Sequence, residues 1–170
     1  GPAVGPDQGS NNWSLSADGR YAVFQSSSKN LTSPNPGNFP DPQIWRHDLV
    51  TGTTELVSRE AGCTTEPCPV GNGPSHNPSI SADGRYIAFE TRAFNLLPGG
   101  TDNGFFDIVR VDMDTGTVSP VSFSNGDSIN ADISNDGNRI AFESASTLMV
   151  PGDMNGVADI FIRTMTPVSV

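Results

Sequence analysis

Residues 77–91 read NPSISADGRYIAFET, and much the same phrase stands at 12–26 (NWSLSADGRYAVFQS) and at 130–144 (NADISNDGNRIAFES). Each copy carries an Asp-Gly pair, at 18–19, 83–84 and 136–137, and six residues after each Asp comes Phe24, Phe89 or Phe142. A second block follows: QIWRHDLVTGTTELVS at 43–58, DIVRVDMDTGTVSPVS at 107–122 and DIFIRTMTPVSV at 159–170. Asp-Gly supplies the positive-φ turn of a tight hairpin, and the Thr-Gly pairs ending at Gly52 and Gly116 do the same for the next two strands. The middle copy therefore holds four strand candidates, 78–81, 85–91, 106–113 and 117–122. Ile87 and Phe89 alternate with Tyr86 and Ala88, so this strand is apolar on both faces, as a sheet sandwiched between two others requires.

The Phe positions lie 65 and 53 residues apart. The unit is thus near 50 residues, with one insertion at about 59–72. Four antiparallel strands repeated at that period predict an all-β fold of β-propeller blades, three per chain. Blade 1 covers about 11–58, blade 2 about 77–122 and blade 3 about 130–170. Gly and Pro interrupt every window long enough for a helical repeat.

The composition agrees. Among 170 residues, 35% are hydrophobic, with 18 Gly and 14 Pro, which suits short strands and turns. Net charge is −10, from 14 Asp and 5 Glu against 8 Arg and Lys29. An acidic chain without a basic cluster is a poor nucleic-acid or anionic-membrane binder. No run reaches the roughly 18 apolar residues of a membrane helix, and no signal peptide is visible. Cys63 and Cys68 are close enough for a disulfide, which favours an oxidising compartment; free thiols or half of a metal site are the alternatives.

The run NPSISADGRYIAFET…NLLPG…NG..DI…D..TG, echoed in FESASTLMVPGDMNGVADIFIR, resembles the propeller repeats of the TolB-type family of exported bacterial proteins. The resemblance covers roughly 11–170. It implies an extracytoplasmic protein, periplasmic or secreted, acting through partners, and blades of a six-bladed ring. Three blades fall short of that ring, and propellers need about four or more to close. The third copy lacks its Thr-Gly turn, so its outer strand is shortened or missing, and Gln43 stands where Asp107 and Asp159 occur. Pairing of two chains into a six-bladed ring is the expected solution, with an excised fragment of a longer propeller as the rival.

For chemistry, GDMNGVAD at 152–159 offers Asp153, Asn155 and Asp159 as oxygen ligands for calcium, a hard cation that takes several such oxygens. The same side chains also suit turn capping. The second copy keeps Asp102, Asn103 and Asp107 in a shifted register. No other cofactor is implied and no catalytic constellation is found. His47 reads as a strand side chain and His76 as a loop residue before Asn77-Pro78. Glu90 and Glu143, with Gln25 as third equivalent, form a ring of polar groups, structural rather than an acid–base pair. Arg20, Arg85 and Arg139 follow the Asp-Gly turns and cover the hairpins with their stems. Trp45 falls at a core position, whereas Trp13 is free to anchor a partner or stack on a sugar. The expected function is a non-catalytic scaffold for protein or peptide binding. The alternatives are the propeller portion of a peptidase or polysaccharide-processing enzyme, or an engineered or excised fragment without its own activity.

Overall fold

In the computed structural model, residues 8–37, 39–65, 67–100, 103–123, 125–153 and 155–165 are described. They form three antiparallel sheets in chain order. The first holds β1 (Ser10–Leu15), β2 (Tyr21–Ser26), β3 (Gln43–Asp48) and β4 (Thr53–Leu56), paired in that order. The second repeats the pattern with β5 (Ser75–Ile80), β6 (Tyr86–Thr91), β7 (Asp107–Asp112) and β8 (Thr117–Pro120). The third has three strands among the described residues: β9 (Ser128–Ile133), β10 (Arg139–Ser144) and β11 (Asp159–Thr164). The sheets are three blades, and among the described residues the third has no counterpart of the outer strands β4 and β8.

The two-faced reading of the central strand holds. Ile87 and Phe89 share one apolar cluster with Val23 and Ile44 of blade 1, while Ala88 shares another with Ile140 and Phe142 of blade 3. Blade 2 is therefore a slab with an apolar cluster on each face. Trp45 is fully buried, as expected, with Phe39 and Leu56 around it and its indole N–H donated to the Ser26 carbonyl at 3.2 Å.

The insertion folds back as a loop. Arg59 and Val70 form an isolated antiparallel bridge, and Cys63 is disulfide-bonded to Cys68 with their Cα atoms 5.7 Å apart. Val70 then packs onto the Trp45 cluster, so the extra residues cover part of blade 1.

One sequence boundary needs correction. β5 starts at Ser75, not at 78, so His76 belongs to a strand rather than a loop. A register shift between His76 and Ser79 breaks the alternation there, which concealed the strand from a pattern search.

Candidate functional site

The inner strand of every blade carries a β-bulge, and at its centre stands an asparagine in the left-handed region: Asn12 at φ 46°, Asn77 at 49° and Asn130 at 57°. Asn tolerates this conformation better than other side chains with a Cβ. The bulge re-aims the asparagine's backbone N–H toward the preceding blade. Asn77 N–H donates to Gln25 Oε1 at 3.1 Å, and Asn130 N–H donates to Glu90 Oε2 at 2.8 Å.

The side-chain amides complete a ladder. Asn12, Asn77 and Asn130 each donate Nδ2 to the acceptor of their own blade, Gln25 at 3.0 Å, Glu90 at 2.8 Å and Glu143 at 3.4 Å. Asn12 also reaches Asn77 Oδ1 at 2.6 Å. Both carboxylate oxygens of the buried Glu90 thus accept hydrogen bonds, one within its blade and one across the joint. This is the polar ring anticipated for Gln25, Glu90 and Glu143, and its geometry is that of a clamp between blades.

A second clip operates beside the Asp-Gly turns. Arg20 grips Asp48 with Nη2–Oδ2 at 2.8 Å, and Arg85 grips Asp112 at the same distance. The guanidinium of Arg20, helped by the Val50 and Thr51 N–H groups, holds the Asp48 carboxyl well below the usual carboxylate range. Arg85 and the Asp114 N–H depress Asp112 in the same direction. The arginines therefore work through their charged heads, correcting the expectation that their stems merely cover the hairpin. Arg139 has no such role by position: in register it occupies the place of Tyr21 and Tyr86, and Asn138 stands where Arg20 and Arg85 do.

A latch between blades sits next to this clip. Arg46 donates Nη1 to the Gly84 carbonyl of the next blade at 2.7 Å, and Arg110 donates likewise to Gly137 at 2.8 Å. Each guanidinium lies over a tyrosine ring, Arg46 4.5 Å from Tyr21 and Arg110 4.5 Å from Tyr86. Burial pushes the Arg110 pKa down, and its Nε is a buried donor without a protein acceptor among the described residues.

Where these blades meet, the inner strands line a cavity of about 370 Å³ bounded by Asn12, Trp13, Asn77, Ser79, Asn130 and Asp132. Trp13 is 72% exposed there. A larger apolar cavity of about 590 Å³ lies among Phe94, Leu97, Phe105, Val109, Phe123 and Leu148. Its origin is a size difference: Val109 and Pro120 pair where blade 1 pairs Trp45 with Leu56.

Of the calcium candidates, Asp153 and Asn155 lie in the loop leading into β11 and Asp159 opens that strand. Asn155 Nδ2 donates to Asp159 Oδ2 at 2.8 Å, Asn155 Oδ1 accepts the Val157 N–H at 3.0 Å, and Asp153 Oδ1 accepts the Asn155 N–H at 3.4 Å. The same clip recurs in blade 2, where Asn103 donates to Asp107 at 2.7 Å. These bonds are the turn chemistry weighed as the alternative to calcium. Asp102 lies outside the described residues. His47 is on β3 with Nδ1 2.9 Å from Thr54 Oγ1, and the His76 ring lies 5.5 Å from that of Phe106.

The ladder asparagines and the Arg–Asp pairs were missed from sequence, though both left signals. Asn stands six residues before the Asp of every Asp-Gly pair. Asp48 and Asp112 follow Arg20 and Arg85 by nearly equal intervals, and in blade 3 both partners are replaced together, by Asn138 and Thr164.

No family model matches the chain, and no curated protein matches it. Solved structures do. TolB from Acinetobacter baumannii superposes with a TM-score of 0.53 at 20% identity, over 95% of this chain and 33% of that one. The putative TolB from Agrobacterium tumefaciens gives 0.55 at 20% identity, over 90% and 45%. The β-propeller domain of the Trilobed protease from Pyrococcus furiosus gives 0.52 at 12% identity, over 95% and 45%. The chain thus has the propeller fold seen in TolB and spans less than half the length of each of these structures.

Proposed function

We propose that the chain is a non-catalytic propeller scaffold, working outside the bacterial cytoplasm, that binds protein or peptide at the mouth of its central funnel and self-associates through its terminal blades. The observation that carries this reading is the division of labour at the joint. Glu90, buried at the joint, is committed to the ladder, while Trp13 stands exposed at the cavity edge beside amide side chains. An exposed indole flanked by amides suits an extended peptide, which offers both apolar side chains and backbone hydrogen-bonding groups. The Cys63–Cys68 bond fits an oxidising compartment, and no described helix is long and apolar enough to cross a membrane.

Selection of displayed random peptides on the immobilised protein tests the reading. Because Trp45 is buried, the fluorescence change on binding reports Trp13. Enriched peptides whose binding falls at least tenfold in Trp13→Ala support it. Failure to enrich any sequence would refute it, as would turnover of a peptide or oligosaccharide substrate. Turnover would favour the second reading, a propeller portion of a peptidase or polysaccharide-processing enzyme, for which the propeller of the Trilobed protease offers a fold precedent.

A further inference from the structure

The two internal joints share a pattern, and among the described residues blade 1 and blade 3 each present a further half of it. Blade 1 meets blade 2 with Gln25 accepting the Asn77 N–H, and blade 2 meets blade 3 with Glu90 accepting the Asn130 N–H. Beside each bond an isoleucine from the third strand of one blade shares an apolar cluster with an isoleucine from the first strand of the next: Ile44 with Ile80, then Ile108 with Ile133. Backbone bonds link the hairpin turns in the same sense, Ala17 N–H to Ala82 O at 3.0 Å and Ala82 N–H to Asn135 O at 2.9 Å.

Blade 3 presents the outgoing half of another such joint. Glu143 occupies the register position of Gln25 and Glu90, and Ile160 that of Ile44 and Ile108. Ile160 is 72% exposed, and Ile162, which stands where Arg46 and Arg110 form their latches, is 71% exposed. Blade 1 presents the incoming half. Asn12 already holds the left-handed conformation of Asn77 and Asn130, and Leu15, the counterpart of the buried Ile80 and Ile133, is exposed.

Resting on the self-association reading above, we infer that blade 3 of one chain docks on blade 1 of a second copy. Glu143 accepts the Asn12 N–H, Ile160 packs against Leu15, and Ile162 lies against the Asp18-Gly19 turn, which leaves Trp13 at the cavity edge. The occupant is argued from continuity: the incoming face that fits blade 3 is the one that already fits blades 1 and 2, and this chain carries it. Two such joints related by a twofold axis close six blades into one ring. The new joint differs from the internal ones in one respect. The arginine latch is replaced by an aliphatic side chain, so this joint relies on apolar burial and the Glu143 bond.

Sedimentation equilibrium of the full chain between 1 and 100 µM decides (~ range spanning usual dimer affinities). The expected mass is twice the chain mass of 17.9 kDa. A monomer throughout overturns self-association itself, and larger open assemblies overturn the twofold ring. Given a dimer, Glu143→Arg and, separately, Ile160→Glu are expected to raise its dissociation constant at least tenfold, with the far-ultraviolet circular dichroism of the native chain retained. Asn12→Gly, which keeps both the N–H and the positive φ, is expected to remain dimeric. A dimer indifferent to both Glu143→Arg and Ile160→Glu leaves self-association standing and overturns this joint.

Discussion

Glu90 of blade 2 accepts the backbone N–H of Asn130 in blade 3 at 2.8 Å, while its other oxygen holds the side-chain amide of Asn77 in its own blade. One buried carboxylate thereby fixes both the bulge of its own inner strand and the position of the next blade. Glu90→Gln keeps a single acceptor oxygen and turns an amide N–H₂ toward a donor. The expected destabilisation is about 1–3 kcal/mol, the range for leaving a buried hydrogen-bonding group unsatisfied, measured by urea unfolding. Gln25 performs the same task with one oxygen, so Gln25→Glu is expected to be nearly neutral.

The turn glycines offer a controlled comparison. Gly19, Gly84 and Gly137 all have φ near +70°, but a Cβ on Gly84 would lie 2.1 Å from Tyr21 Cδ2, and one on Gly137 would lie 2.2 Å from Tyr86 Cδ2. At Gly19 the space is open. Gly19→Ala is expected to be destabilising by about 1–2 kcal/mol through backbone strain alone. Gly84→Ala adds overpacking and is expected to reach about 2–5 kcal/mol. Equal effects at the two sites would show that the tyrosine does not seat on the next blade's turn.

Much of this was legible in the sequence. The blade count, the hairpin turns, the two-faced strand of Ile87 and Ala88 and the burial of Trp45 follow from spacing and alternation, because hydrophobic period and turn chemistry are local signals. The joints were harder to read. Asn130 acts through its backbone N–H, on a bulge that breaks the period-two pattern, and its acceptor lies 40 residues away. Arg110 reaches Gly137 over 27 residues. Such contacts leave a trace only when copies are compared position by position, as in the joint loss of the Arg–Asp pair at Asn138 and Thr164.

Acid should weaken the fold through the Arg–Asp clips. Asp48 and Asp112 have pKa values depressed in the folded chain by Arg20 and Arg85. Their contribution is therefore fully present above the unfolded Asp value of about 3.9 and is lost as pH falls through the folded values. Thermal unfolding of the native chain between about pH 7 and pH 2.5 is expected to show a steeper decline on the acid side than the Asp48→Asn, Asp112→Asn double variant. Parallel curves would remove the clips from the account.

The Cys63–Cys68 bond closes a short loop, so its removal should be mild. A loop of this size predicts a loss of about 2 kcal/mol on the chain-entropy view. Cys63→Ser with Cys68→Ser is expected to lower the melting temperature without changing the near-ultraviolet signal of Trp45, whose indole is held by Ser26. Loss of that signal would mean that the insertion, through Val70, is needed to seat the tryptophan.

The central claim, a ring closed by two identical joints, is tested most directly by covalent capture. The only cysteines are already paired with each other, so Leu15→Cys combined with Ile160→Cys places one new thiol on each end of the chain. After mild oxidation at low protein concentration, the account predicts a single cross-linked species of two chains on a non-reducing gel, with nothing larger. A ladder of higher oligomers, or no intermolecular cross-link at all, would contradict it.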